Sequence, residues 1–128
     1  MNLLKADFTE ISNSVKNKKI SALEVTQFFK KRIDAHNNKI NAFTSLNEDA
    51  ISDASDIDAK IQKGEDPGPL AGVPFGIKEM ICVKGLKTTA SSKILENFIP
   101  PYSATLVNKL KSAGAVILGK LNQDEFAM

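Results

Sequence analysis

Apolar positions recur at two different periods along the chain. Phe8, Ile11 and Val15 return at three- and four-residue spacing, which places them on one side of a helix. Ser21-Ala-Leu-Glu24 has the spacing of a capping box, in which Ser21 accepts from the amide three residues on and Glu24 reaches back. Behind it Leu23, Phe28, Phe29 and Ile33 form an apolar stripe, with Lys30, Lys31 and Arg32 toward the far end, where cations suit the helix dipole. His36-Asn37-Asn38 predicts a polar turn, and residues 40–46 a short strand. Asn47 is placed to cap a third helix whose stripe is Ala50, Ala54, Ile57 and Ile61; its small residues favour close packing.

Gly64-Glu-Asp-Pro-Gly-Pro69 is the strongest breaker cluster. It predicts a hinge between a helical region, residues 1–64, and an α/β body, residues 65–128. Beyond it residues 72–77 read as a buried strand and residues 80–83 as a second short one. Residues 88–92 form a polar loop. Ser103 can cap a helix carrying Leu106, Val107 and Leu110 and ended by Gly114. Residues 115–118 make a four-residue apolar strand, and residues 122–128 open another helix. Strand, helix and strand in succession predict a right-handed βαβ crossover and a parallel sheet. The fold class expected is therefore α/β: an N-terminal helical arm, then the start of a mixed or parallel sheet covered by helices, in one truncated domain. The last helix has no second turn, and the sheet has too few strands to be covered on both faces. The chain thus reads as the N-terminal piece of something larger.

Composition narrows the function classes. With 128 residues, 42% hydrophobic and 25% charged, the chain is long enough for one globular domain and is not disordered. No apolar run approaches the ~18 residues of a membrane span, and the start lacks a signal peptide, so a cytoplasmic protein with no membrane contact is expected. The net charge of +2 is spread evenly over both halves, and every basic residue but Arg32 is lysine. Charge thus makes no case for direct nucleic-acid binding, although it leaves RNA contacts through a partner chain open. One cysteine, Cys82, and one histidine, His36, exclude an internal disulfide and a thiolate or His-rich metal site, so no metal is expected.

Five features carry candidate chemistry. Gly114-Ala-Val-Ile-Leu-Gly119-Lys120 has phosphate-loop spacing, but Leu121 stands where a Ser or Thr must be and the middle residues are an apolar strand. The glycines are read instead as the ends of a helix and a strand. Cys82, in Ile81-Cys-Val83, reads as a small buried hydrophobe, and His36 as solvated. Ser91 and Ser92 have no nearby histidine and read as backbone-capping groups. Lys78 differs, because it emerges at the end of the apolar run Val73-Pro-Phe-Gly-Ile77. Desolvation there would favour the neutral amine, a competent general base. The other reading, favoured by composition and spacing alone, is a strand-end lysine snorkelling to water. The adjacent Glu79 points to the opposite face of a strand and need not re-protonate it.

Pro69-Leu-Ala-Gly-Val-Pro-Phe-Gly-Ile-Lys78 resembles the segment that carries the catalytic lysine of the amidase signature family. Gly85-Leu-Lys-Thr-Thr89, Ser92-Lys-Ile-Leu-Glu-Asn-Phe98, Pro101-Tyr102, Ala104-Thr105, Ala113-Gly-Ala115, Gly119-Lys120, Asn122 and Asp124-Glu-Phe-Ala-Met128 continue the likeness. Within the family these blocks are most similar to the A subunits of glutamyl-tRNA(Gln)/aspartyl-tRNA(Asn) amidotransferases. The resemblance implies glutamine hydrolysis by a Ser–Ser–Lys triad with Lys78 as base, both serines lying beyond Met128, and Met128 as a candidate substrate-binding residue. It implies that this chain binds no cofactor. Ammonia would pass to a B subunit, which uses ATP and Mg²⁺ to amidate misacylated tRNA, and a small C subunit would join the two. Glu79 and Met80 stand where the family usually has Asp and Asn, Ser103 where it usually has Asp, and Ala90-Ser91 where it often has Cys-Ala or Ala-Gly. The alternatives are another amidase-signature amide hydrolase working without partners, and a non-catalytic remnant that binds a partner.

Overall fold

The computed structural model describes residues 1–128. Helix α1 (Phe8–Lys16) starts from a capping box: Asp7 accepts from the Glu10 amide at 2.8 Å, and Glu10 accepts from the Asp7 amide at 3.0 Å. Helix α2 (Ala22–Ile40) starts from the expected one, with the Glu24 amide donating to Ser21 Oγ at 3.0 Å. The amides of Ala22 and Leu23 donate to the two carboxylate oxygens of Asp58, at 2.8 and 3.0 Å. Three of the orphan donors at this helix start are thus met by side chains, two of them from a different helix.

The predicted turn at residues 36–38 does not form. Helix α2 runs to Ile40 and ends at Asn41 in the left-handed conformation (φ 49°), so His36 lies exposed on the helix. Asn37 instead stitches the helix to strand β1 (Phe43–Leu46), donating to the Phe43 carbonyl at 2.9 Å and accepting from its amide at 2.8 Å. The strand expected over residues 40–46 is shorter for that reason. On α2, Ala22, Val25 and Thr26 are the buried residues, Phe29 and Ile33 are half-buried, and Phe28 packs edge-on to Phe29. Helix α3 (Ala50–Gln62) buries its whole predicted stripe, Ala50, Ala54, Ile57 and Ile61. Its cap position is Asp49 rather than Asn47, whose side chain donates to the Ile117 carbonyl at 2.8 Å and so holds the helix approach to the sheet.

Strand β2 (Pro74–Lys78), helix α4 (Thr105–Ser112) and strand β3 (Val116–Leu121) complete the framework. The sheet order is β1-β3-β2, with β2 parallel to β3 and β1 antiparallel to it. The sheet is therefore mixed, and residues before and after the breaker cluster both contribute to it. On one face Val73, Val116 and Leu118 pack with Ile11, Val15, Ala22, Val25, Ala54 and Ile57; on the other Ile77 and Ile117 pack with Val107 and Val83. Strand β3 is longer than residues 115–118 because Gly119 lies inside it: a Cβ there would collide with the Ser45 carbonyl, so glycine permits β1 to approach.

Three further expectations change. Residues 80–83 form no strand, since the Ile81 amide donates back to the Lys78 carbonyl at 2.9 Å and turns the chain out of the sheet. Ser103 does not cap α4, whose cap position is Ala104; its hydroxyl accepts from the Lys84 amide at 2.9 Å. On α4 Val107 is buried and Leu106 exposed. Residues 122–128 hold only a short 3-10 turn, Glu125–Ala127, with Phe126 and Ala127 at positive φ. The breaker segment is anchored rather than free: the Leu70 amide donates to the Ala113 carbonyl at 2.7 Å, and the Gly72 amide to the Gly114 carbonyl at 2.9 Å. No helix is long and apolar enough to cross a membrane.

Gly114 (φ 89°) follows α4, and a Cβ there would collide with the Pro67 carbonyl, whereas one on Gly64 (φ 77°) would meet nothing within 4 Å. Gly64→Ala is expected to lose about 1–2 kcal/mol from its left-handed backbone alone, and Gly114→Ala clearly more; urea unfolding of the two variants measures the difference, and equal losses would contradict the close approach. Asp58→Ala is expected to cost about 1–2 kcal/mol in the same assay, since two amides of α2 lose their acceptor.

Candidate active site

Burial alternates where β2 leaves the sheet. Ile77 is buried, Lys78 is exposed, and Glu79 is 1% exposed, so Lys78 and Glu79 do face opposite ways. The Glu79 amide still pairs with the Leu121 carbonyl at 2.9 Å, which carries the sheet geometry one residue past Lys78. Lys78 itself stays in contact with water at the end of β2. Its ammonium takes part in none of the ion pairs.

Glu79 is the acidic side of a buried brace. Its Oε1 accepts from the Thr89 amide at 2.8 Å and the Thr89 hydroxyl at 2.7 Å, and its Oε2 accepts from the Thr44 hydroxyl at 2.6 Å. One carboxylate thus joins β1, the end of β2 and the polar loop at residues 88–92. The basic side is Lys120, which is 0% exposed. Its Nζ donates to the Glu79 carbonyl at 2.9 Å, the Ile81 carbonyl at 2.6 Å and Thr88 Oγ1 at 3.0 Å. Burial pushes the Lys120 pKa down from the usual lysine range, and the Glu79 charge opposes that shift.

This arrangement answers the phosphate-loop spacing. Gly114 forms a turn, residues 116–121 pair within the sheet, and Lys120 points at carbonyls rather than into a cradle of open amides. Sequence reasoning overlooked Lys120 as a structural charge. The available signal was a lone cation in an otherwise apolar run, which a central strand can hold only with partners.

The loop carrying Ser91 and Ser92 docks on the C-terminal turn. Ser91 Oγ donates to Asn122 Oδ1 at 2.9 Å, Ser92 Oγ donates to Glu125 Oε1 at 2.6 Å, and the Phe126 amide donates to the Ala90 carbonyl at 2.9 Å. Ser91 also accepts from the Gln123 amide at 3.2 Å, and Ser92 from the Ile94 amide at 3.3 Å. Glu79, Thr89, Ser91 and Ser92 line an open polar cleft of about 290 Å³, flanked by Lys87 and Lys93. Lys78 is not among its lining residues. Met128 is 95% exposed, and the structure does not join it to Lys78. Cys82 is half-buried, less covered than expected, with Sγ 3.7 Å from the Tyr102 hydroxyl, whose pKa that contact pushes up. No three His, Cys, Asp or Glu side chains gather as a metal site. Chemically, the assembled groups offer one projecting amine at a strand end, with two buried charged side chains beneath it, each satisfied by neutral hydrogen-bond partners.

The family model described as Amidase matches residues 24–128. The chain is 63% identical over its whole length to the A subunit of the glutamyl-tRNA(Gln) amidotransferase of Bdellovibrio bacteriovorus, and 53% identical over 93% of its length to that of Carboxydothermus hydrogenoformans. It covers 26% and 25% of those proteins, about a quarter of the length of the relatives it matches. Among solved structures it is similar to the native peptide amidase of Stenotrophomonas maltophilia, with a TM-score of 0.93 and 31% identity over 98% of this chain and 26% of that one. The family model covers most of the chain, both parts of the sheet and the Lys78 strand included, and the chain belongs to the amidase family.

Proposed function

We propose that this chain is the N-terminal part of the glutamine-hydrolysing A subunit of a tRNA-dependent amidotransferase. The observation that supports this best is the rigid placement of Lys78 at the end of β2, within a chain 63% identical throughout to one such A subunit. In the proposed reaction, neutral Lys78 Nζ accepts a proton from a bridging serine. That serine takes the proton of a second serine as it attacks the glutamine amide carbon. The carbon–nitrogen bond breaks, the proton leaves with ammonia, and water then hydrolyses the acyl-enzyme. Both serines would come from sequence outside these 128 residues, since Ser91 and Ser92 are engaged with Asn122 and Glu125. Ammonia would pass to a B subunit that amidates misacylated glutamyl-tRNA(Gln) or aspartyl-tRNA(Asn) with ATP and Mg²⁺, a C subunit completing a cytoplasmic heterotrimer.

General-base work asks for a dry amine, and Lys78 is exposed here. The rest of the protein would supply the cover. A second reading, an amide hydrolase that needs no partner, draws on the likeness to a peptide amidase. It is separated from the first by whether ammonia from glutamine reaches misacylated tRNA when the B and C subunits are present.

Lys78→Ala and Lys78→Arg, made in the full-length protein with its partners, are both expected to lower glutamine hydrolysis by about 10²–10⁴-fold, since Arg keeps the charge but cannot be deprotonated. Substantial turnover in a well-folded Arg variant would falsify the base assignment. The 128-residue chain alone is expected to release no ammonia from glutamine above buffer, because a base without its nucleophile lacks the covalent step. Release that vanishes in Lys78→Ala would show a nucleophile within the chain.

A further inference from the structure

The turn that follows Lys78 is gripped by a single buried cation. Lys120 Nζ has three acceptors, the carbonyls of Glu79 and Ile81 and the hydroxyl of Thr88. An ammonium has three N–H donors to match them, whereas a neutral amine has two and would leave one acceptor unpaired. The same turn closes on Lys78 itself, whose carbonyl accepts from the Ile81 amide at 2.9 Å. On the strand side, Ile77 is paired opposite Lys120 and Lys78 opposite Leu121. The backbone of Lys78 is therefore held from before by the β2–β3 ladder and from after by the Lys120 side chain.

We propose that Lys120 is a positioning residue for Lys78: by gathering the Glu79 and Ile81 carbonyls and Thr88 around one ammonium, it sets the direction in which the Lys78 side chain leaves the sheet. The proposal rests on the general-base reading of Lys78. Lys120 cannot be the base itself, because it has no exposed surface and all its protons are committed. Glu79 completes the device. Its carboxylate holds the loop through Thr89 and β1 through Thr44, and its negative charge helps keep the Lys120 ammonium charged against burial. The titratable groups acting on Lys120 are the Glu79 carboxylate and the Cys82 thiol, and the atoms it touches are three neutral oxygens.

The test uses the full-length protein with its partners. Lys120→Met keeps much of the side-chain volume and removes all three donors. A misplacement of about 1 Å at a reacting group can cost about 10²-fold, so kcat for glutamine is expected to fall by that order. KM is expected to change less than about threefold, since remote substrate contacts are untouched. The acidic limb of the kcat–pH profile is expected to move by about half a unit or more, because the proton affinity of Lys78 depends on where its amine is held. The amides of Ile81 and Thr89 are expected to lose hydrogen-exchange protection while those of α2 keep theirs. Thr88→Val removes one acceptor only, and is expected to move the same limb with a smaller loss of kcat; it carries the test if the Met variant does not fold. Wild-type kcat in folded Lys120→Met overturns the proposal. So does activity lost only in proportion to folded enzyme, with an unmoved pH profile. Lys78→Arg in parallel keeps the two readings apart. Turnover by that variant removes the base assignment, while unchanged exchange at Ile81 and Thr89 removes the grip of Lys120 on the turn.

Discussion

A lysine ammonium buried in the central strand of the sheet has to be answered by its surroundings. An uncompensated buried charge costs several kcal/mol, so the chain around Lys120 is arranged to supply acceptors. Three oxygens converge on its Nζ, two of them backbone carbonyls from the turn after β2. That demand explains why residues 80–83, apolar enough to read as a strand, are bent out of the sheet: a further rung there would turn those carbonyls toward a neighbouring strand. The Glu79 carboxylate, equally buried, meets the opposite requirement with three donors from Thr44 and Thr89. Both ends of the brace are satisfied internally.

The brace is useful because the sheet beneath it is tightly joined to the helices. The all-small and β-branched face of α3, with Ala50, Ala54, Ile57 and Ile61, lets that helix close on α2 and the sheet. Asp58, on the same helix, reaches across to cap α2, and Lys111 of α4 pairs with Asp53 of α3 at 3.1 Å. The latter pair is partly exposed and contributes little by itself. Backbone contacts at Gly114 and Gly119 bring the breaker segment and β1 against β3. The helical and α/β portions consequently share one core, and β2 is a stiff support for its last residue.

That stiffness gives the family membership a physical content. Amide hydrolysis with a lysine base needs the amine held still and dry. In this chain the backbone of Lys78 is held by the β2–β3 pairing and the turn that follows, while its side chain is exposed and makes no ion pair. The two serines of the polar loop, Ser91 and Ser92, are engaged in holding that loop to the C-terminal turn. The proposed division is therefore between a scaffold with a base, within these 128 residues, and the cover and nucleophiles of a protein about four times as long, as its relatives are.

Local pattern by itself determined the buried face of α3, the Ser21 capping box, the strand that leads into Lys78 and the opposed directions of Lys78 and Glu79. Each of these follows from periods of 3.6 or 2 and from contacts within about four residues. The expected stripes of the other helices are only partly buried, with Phe8, Phe28 and Leu106 exposed. Ordered motif blocks determined the family. Tertiary structure alone decided matters that depend on partners outside the reach of a single helix or strand, from six residues away at Asn37 to 70 at Asn47. Asn37 bonds to β1 rather than making a turn, Asn47 reaches Ile117 rather than capping α3, and Ser103 accepts from Lys84 rather than capping α4. It also decided that Lys120, a residue whose spacing suggested only a failed phosphate loop, is a buried charge; its acceptors lie 32 to 41 residues away. For Asn37 and Asn47 the non-local partner is a partly buried backbone group, and leaving such a group unpaired costs more than leaving a helix end to water; the Ser103–Lys84 bond is exposed and has no such reason behind it.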